Sequence, residues 1–179
     1  MKYYIVAVFD DETYQLISPI QKNMSKKFRG NRNSPLPFIP LCIIDNPNFD
    51  KLYPIINKII SPYKVFRIDA LDSVYVYDNT RSVNLRIDNR GYIKRISRAL
   101  SDMLILSGFN IKTFDENFVS LSNLGYISKD YKKQDIKLNF PYLYKNNPYL
   151  KLKIKKIEVW KIPTSKKDLP LKSFVLKEF

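Results

Sequence analysis

Apolar and polar positions along this chain change period several times, and each change predicts an element. KYYIVAVF (2–9) is aromatic and β-branched and predicts a strand. In the following DDETYQLISPIQKNMSKKF, Asp10 or Asp11 can cap a helix, and acids in its first turn suit the helix dipole. Pro19 is expected to end or kink that helix, because it lacks an N–H and its ring clashes with the preceding turn. After the loop RGNRNSPLP, FIPLCII predicts a strand, with Pro40 demanding an edge position or a bulge. NPNFDKLYPIINKIISPY sets Leu52, Ile55, Ile56 and Ile59 at helical spacing. KVFRIDAL, SVYVYD and RSVNLRID alternate as three strands. In the last of these, Val83, Leu85 and Ile87 share one face, and Asn84 and Arg86 the other. RGYIKRISRALSDMLILSGF is the clearest helix, with a stripe of Ile93, Ile96, Leu100, Met103 and Leu104 closed by Gly108.

ENFVSLS follows as another strand. SKDYKKQDIKLNFPYLYKNNP is polar and aromatic and reads as a helix and then a loop. LKLKIKKIEVWKI alternates with a phase slip at Lys155-Lys156, which predicts a bulge or a junction, and KSFVLKEF is a final strand. Strands outnumber helices and many are sequential, so the fold class is α+β with antiparallel or mixed sheets. The length suits a single two-lobed domain over residues 1–179.

Two of these strands share a shape. Phe38-Ile39-Pro40-Leu41 and Phe118-Val119-Ser120-Leu121 are short apolar segments with a Phe-x-[Pro/Ser]-Leu centre, 80 residues apart. Alternation puts residues i and i+2 on one face. If Ile39, Leu41, Val119 and Leu121 face the helices, then Phe38, Pro40, Phe118, Ser120 and Ser122 face the other way.

Composition narrows the chemistry. The chain has no histidine and one cysteine, Cys42, so zinc sites and Ser-His or Cys-His nucleophile pairs are excluded as classes. No clustered Asp/Glu motif for magnesium is visible, and no cofactor is expected. Apolar runs fall far short of the ~20 residues a spanning helix needs, so no membrane partner is expected. With a lone cysteine and no visible signal peptide, the expectation is an intracellular, cytoplasmic protein. Lys and Arg exceed Asp and Glu by 14, and 9 of that excess falls in residues 129–179. Such a basic stretch suits a polyanion. Lys151, Lys153 and Lys155 share a strand face. They would either track a nucleic-acid backbone or guard an edge strand against aggregation. Tyrosines adjoin lysines in KDYKK and YLYKNNPYLK, which suits single-stranded RNA and ordinary packing alike.

The element order and several phrases resemble the two-histidine phosphoesterase superfamily, especially its 2′-5′ RNA ligase and RNA 2′,3′-cyclic phosphodiesterase branch. The aromatic-aliphatic first strand YYIVAVF, the helix closing in LILSGF before ENFVSLS, and the paired tail LKIKKIEVWKI and KSFVLKEF carry the resemblance over nearly the whole chain. It implies two pseudo-symmetric lobes with helices outside and a cleft between them. In that family each lobe offers a His-x-Thr/Ser motif. One His acts as general base and the other as general acid, while the hydroxyls hold phosphate oxygens. Here the matching positions read Phe38, Pro40, Phe118 and Ser120. A phenyl ring moves no proton, and each lost acid–base group is worth about 10²–10⁴-fold. The resemblance therefore implies the fold and the cleft without the chemistry.

The expected function is a catalytically degenerate relative that binds RNA or a nucleotide in the cleft, or serves in a nucleoprotein assembly. No catalytic residue is assigned. Phe38 and Phe118 would stack a base or simply fill the cleft, Arg86, Asn84 and Arg81 would reach in, and Ser120 and Ser122 would line it. Two alternatives stand beside it. One is a His-independent, metal-free endoribonuclease resembling CRISPR RNA-processing proteins, with Tyr and Lys carrying protons. The other is a protein-interaction module without a ligand.

Overall fold

A computed structural model describes residues 1–127, 135–138, 150–162 and 170–179. Their elements run β1 (Lys2–Phe9), α1 (Asp11–Lys27), β2 (Ile39–Asp45), α2 (Phe49–Ile60), β3 (Phe66–Tyr77), β4 (Ser82–Ile87), α3 (Tyr92–Leu106), β5 (Asn110–Thr113), β6 (Phe118–Asn123), β7 (Ile136–Lys137), β8 (Leu150–Lys161) and β9 (Lys172–Val175). The strands share one sheet in the order β5-β2-β1-β8-β3-β4-β6, with β7 beside β3 and β9 beside β8. Every pairing of these strands is antiparallel, so the α+β expectation takes its antiparallel form.

Pro19 does not end α1, which continues to Lys27. A mid-helix proline costs about 3 kcal/mol. Beyond it, Ile20 and Met24 go into the core, worth roughly 1.5–3 kcal/mol each, so packing outweighs the local penalty. Asp10 caps this helix by accepting from the Thr13 N–H at 2.9 Å. KVFRIDAL and SVYVYD are one strand, not two. The register shift between Ala70 and Val74 marks an irregularity that bends β3 without breaking it. α3 buries Ile93, Ile96, Leu100 and Leu104 as expected, but Met103 lies at the stripe's margin and is 36% exposed. Gly108 closes the helix at φ +84°, and the Phe109 N–H reaches the Leu104 carbonyl at 3.0 Å. β5 was not expected: its four residues, NIKT, are too short to show a period, and β2 alone recruits them. Of the segment 128–148, expected as a helix and then a loop, only 135–138 is described, and there Ile136–Lys137 pair with β3 as the short strand β7; the rest lies outside the described residues.

Both expected bulges are present. Pairing jumps from Ile5–Cys42 to Val6–Pro40, so Leu41 is the extra residue and Pro40 needs no ladder N–H toward β1 there. In β8 the partner of Val8 is Lys156 and that of Phe9 is Ile154, which leaves Lys155 unpaired with β1. Ile154 and Ile157 therefore both reach the main core, whereas Glu158 and Trp160 turn to the opposite face.

The main core lies between the sheet and the three helices and includes Ile5, Ile17, Ile56, Leu100, Val119 and Leu152. Cys42 belongs to it. Burial pushes its thiol up to about 12, so it stays protonated and inert. A second, smaller cluster of Val6, Val8 and Phe38 occupies the face turned away from the helices.

Candidate functional site

The two Phe-x-[Pro/Ser]-Leu segments meet on that helix-free face. Phe38 and Ser120 form an antiparallel bridge: the Ser120 N–H donates to the Phe38 carbonyl at 2.8 Å, and the Phe38 N–H to the Ser120 carbonyl at 3.4 Å. This bridge joins the ends of the path β2-β1-β8-β3-β4-β6. Its register sets Pro40 opposite Phe118, the arrangement a twofold relation between the segments requires. Pro40 has no N–H to donate there, which accounts for a single bridge in place of a ladder.

The two phenyl rings take parallel but separate environments. Phe38 packs at 4.7 Å from Trp160 and 5.9 Å from Tyr4 (ring centroids), over Val6 and Val8. Phe118 lies 5.5–6.1 Å from Phe114, Tyr77 and Tyr75, mostly edge to face. Phe38 is 4% exposed and Phe118 2%. The half-buried rings that cover them, Tyr4 and Trp160 on one side and Tyr75 and Tyr77 on the other, are what the face presents to solvent. Sequence reasoning missed those four. The signal for Tyr75 and Tyr77 was their alternation against Val74 and Val76, and for Trp160 the reversal of phase after Lys155.

Between the two aromatic groups lies a buried polar strip. Asn84 pairs with Ser120 across β4 and β6. Its Oδ1 accepts from the Ser82 hydroxyl at 2.8 Å, while its Nδ2, fully buried, has no partner among the described residues. Ser120 is buried at the bridge. Ser122, expected on this face, turns to the helix side instead: the register slip between Val83 and Asn84 pairs it with the core residue Val83, Ser25 of α1 donates to its hydroxyl at 2.8 Å, and Ser34 lies 3.3 Å from it. That ties the loop after α1 to β6. The loop approaches so closely that a Cβ on Gly30 would fall 2.2 Å from the Ser122 Oγ. Gly30→Ala is therefore expected to destabilise the fold by about 1–3 kcal/mol, read as a lower denaturation midpoint. Adding Ser122→Gly should restore part of the loss; a neutral single variant would contradict this packing.

Arg86 lines a pocket of about 300 Å³ together with Tyr75, Tyr77, Phe114 and Phe118. Its fork is engaged: Nε and Nη2 donate to the two oxygens of Asp135 at 2.7 and 2.9 Å, and Nη1 to Glu116 at 3.1 Å. The guanidinium also sits 4.2 Å from the centre of the Tyr75 ring. Burial pushes the Tyr75 phenol up, and the Arg86 charge only partly counters this, so Tyr75 is a neutral donor. The Arg86 hydrogen bond holds Asp135 below the usual carboxylate range. A folded-state value below the unfolded one, near 3.9, adds stability above that pH and loses it as pH falls through the lowered value. Asp135 is half exposed, so the pair is worth under about 1 kcal/mol. Denaturation of the wild type and Asp135→Asn should differ at about pH 6 and converge below about pH 4; a gap that persists in acid would exclude the ion pair as its origin. Arg81 lies in the turn between β3 and β4 at φ +46°, exposed.

Lys151 and Lys153 flank this face on the first half of β8, opposite Asp69 and Arg67 of β3; Lys151 donates to Asp69 at 3.2 Å. Lys155 sits exposed at the bulge, unpaired with β1. Glu158 is 4% exposed and accepts from the Trp160 indole at 2.7 Å, the Ser173 hydroxyl at 3.1 Å and Lys156 at 3.0 Å.

No family model and no curated protein sequence matches the chain. Solved structures do. E. coli LigT in complex with 3′-AMP superposes with a TM-score of 0.63 at 12% identity, covering 98% of this chain and 97% of LigT. TT0787 of Thermus thermophilus gives 0.65 at 13% identity, covering 99% of each chain. The chain has the LigT-like two-histidine phosphoesterase fold. Coverage near the full length of both proteins means that the LigT-like fold accounts for the three helices and the sheet of the described residues together. LigT is also known in complexes with ATP and with NADP+.

Proposed function

We propose that this chain uses the LigT-like fold to bind RNA or a nucleotide without catalysing phosphoester chemistry, alone or as a subunit of a nucleoprotein assembly. The observation that carries this reading is the Phe38–Ser120 bridge, which brings together the two segments whose matching family positions hold imidazoles and fills those positions with packed phenyl rings. The absence of histidine from the whole chain supports it, since no imidazole is available to serve as base or acid near neutrality. Binding of nucleotides by LigT supports the ligand class. On this chain, the half-open Tyr75 and Tyr77 rings beside Arg86 offer a stacking wall next to a cation. The carboxylates of Asp135 and Glu116 hold Arg86 against that wall, and a phosphate would have to displace at least one of them.

Two measurements test this: titration with 3′-AMP and ATP, and incubation with cyclic-phosphate-ended RNA and 2′-5′ oligonucleotides. The expected result is saturable binding and no turnover. Turnover that a Tyr75 or Arg86 substitution abolishes would overturn the non-catalytic part. Failure to bind any of these ligands would overturn the nucleotide part and leave a protein-interaction role.

A further inference from the structure

A second concavity is built around the starts of β3 and β8 and shares no lining residue with the pocket beside Arg86. One hollow of about 660 Å³ is formed by the segment after α2, the start of β3, Tyr92 at the start of α3, and the C-terminal residues Glu178 and Phe179. A neighbouring hollow of about 390 Å³ runs along β3 and β8 past Asp69, Arg95 and Lys151. Arg67 and Tyr92 line both, so the two make one continuous trough.

Its chemistry has two parts. The first is a braced, half-open aromatic ring. Tyr92 is 51% exposed, yet Tyr63 and Phe66 hold it edge to face at 5.5 and 5.7 Å. Ordering such a ring on binding costs little, because packing has already fixed it. The second is charge. Lys64, Arg67, Arg90, Arg95, Lys151 and Lys153 face the trough against the three carboxylates Asp69, Asp88 and Glu178. Asp69 is engaged by Lys151, and Asp88 by Arg90 at 2.8 Å. Arg67 and Lys153 are cross-strand partners, which sets two cations side by side on the trough floor.

We propose that this trough binds single-stranded nucleic acid, with a base stacked on Tyr92 and the phosphate backbone passing Arg67 and Lys153. A row of cations beside an exposed ring is the combination that single strands use, since every base has a π-face and every nucleotide a charge. An acidic peptide would use the charges but has no use for the ring, and a lysine fence against aggregation would need neither ring nor hollow. The structure thus gives Lys151 and Lys153 companions from β3 and α3.

The test is fluorescence anisotropy with a labelled oligouridylate of about ten nucleotides, titrated at several salt concentrations between about 50 and 200 mM. Wild type is expected to bind with a clear salt dependence. Tyr92→Ala should weaken binding roughly 5- to 150-fold, and Tyr92→Phe should bind as wild type. Arg67→Gln combined with Lys153→Gln should flatten the slope of log K against log salt by about 1.4, near 0.7 for each lost contact. All three variants should stay folded, with Tyr92→Ala lowering the melting temperature modestly through its lost contacts to Tyr63 and Phe66, and all should keep the wild-type 3′-AMP affinity, which separates this trough from the proposed nucleotide site. Undiminished RNA binding by Tyr92→Ala would overturn the proposal. So would displacement of the oligonucleotide by polyglutamate as readily as by unlabelled RNA, or salt-independent binding.

Discussion

Phe118→Ala is expected to lower the free energy of unfolding by about 3–5 kcal/mol, the range for deleting a fully buried Phe. The ring is 2% exposed and is enclosed by Tyr75, Tyr77 and Phe114. These neighbours come from β3 and from the turn before β6. Urea denaturation is the measurement. A stacking platform in solvent would behave differently: its removal would leave stability within about 0.5 kcal/mol and cost ligand affinity instead. An unfolding free energy lowered by less than about 1 kcal/mol would contradict the packed role assigned to this ring.

Glu158→Ala should cost roughly 2–3 kcal/mol, by removing charge-assisted hydrogen bonds. Its carboxylate receives the Trp160 indole and Ser173 on a face that is otherwise apolar around Val6 and Phe38. The indole N–H is a donor only and loses its acceptor once the carboxylate is gone, so its desolvation is uncompensated. Lys156 is 36% exposed and can turn toward water, which removes the ion pair from the reckoning. Glu158→Gln should lose about half as much, since an acceptor oxygen remains. Trp160 is the sole tryptophan, so its fluorescence follows this network directly. Glu158→Ala should shift the emission as well as the denaturation midpoint. An unchanged midpoint would show that the carboxylate is not a structural acceptor.

Together these variants separate two roles that a family resemblance merges. Phe38 and Phe118 stand on neighbouring segments at the positions the resemblance assigns to imidazoles, yet each is covered by a second ring. Phenyl groups at such positions are apolar and carry no proton to exchange. Burial then favours the aromatic groups by roughly 1.5–3 kcal/mol per ring. What remains open to a ligand is the outer layer of tyrosines and Trp160.

Local physics made much of this visible in advance. The helix caps, the Gly108 stop, the edge or bulge at Pro40 and the slip at Lys155 each depend on one residue's backbone chemistry. They were legible because no distant partner alters them. The pairing of polar Asn84 and Arg86 on one face of β4 followed from the two-residue period alone. The helix did not end at Pro19, and the two strands expected in β3 joined, because burial of Ile20, Met24 and the flanks of β3 outweighed local breaking signals.

By itself, the sequence determined the α+β class, the absence of any imidazole and the matching of Phe38 with Phe118, since composition and period are properties of the chain; that every described strand pairing is antiparallel came from the structure. Tertiary structure alone decided that Ser122 would tie down a loop, that Arg86 would be held by Asp135 49 residues away, and that Arg67, Tyr92 and Lys153 would line one trough. Those outcomes depend on contacts between residues far apart in the chain, where three-dimensional packing chooses the partners and no local period records the choice.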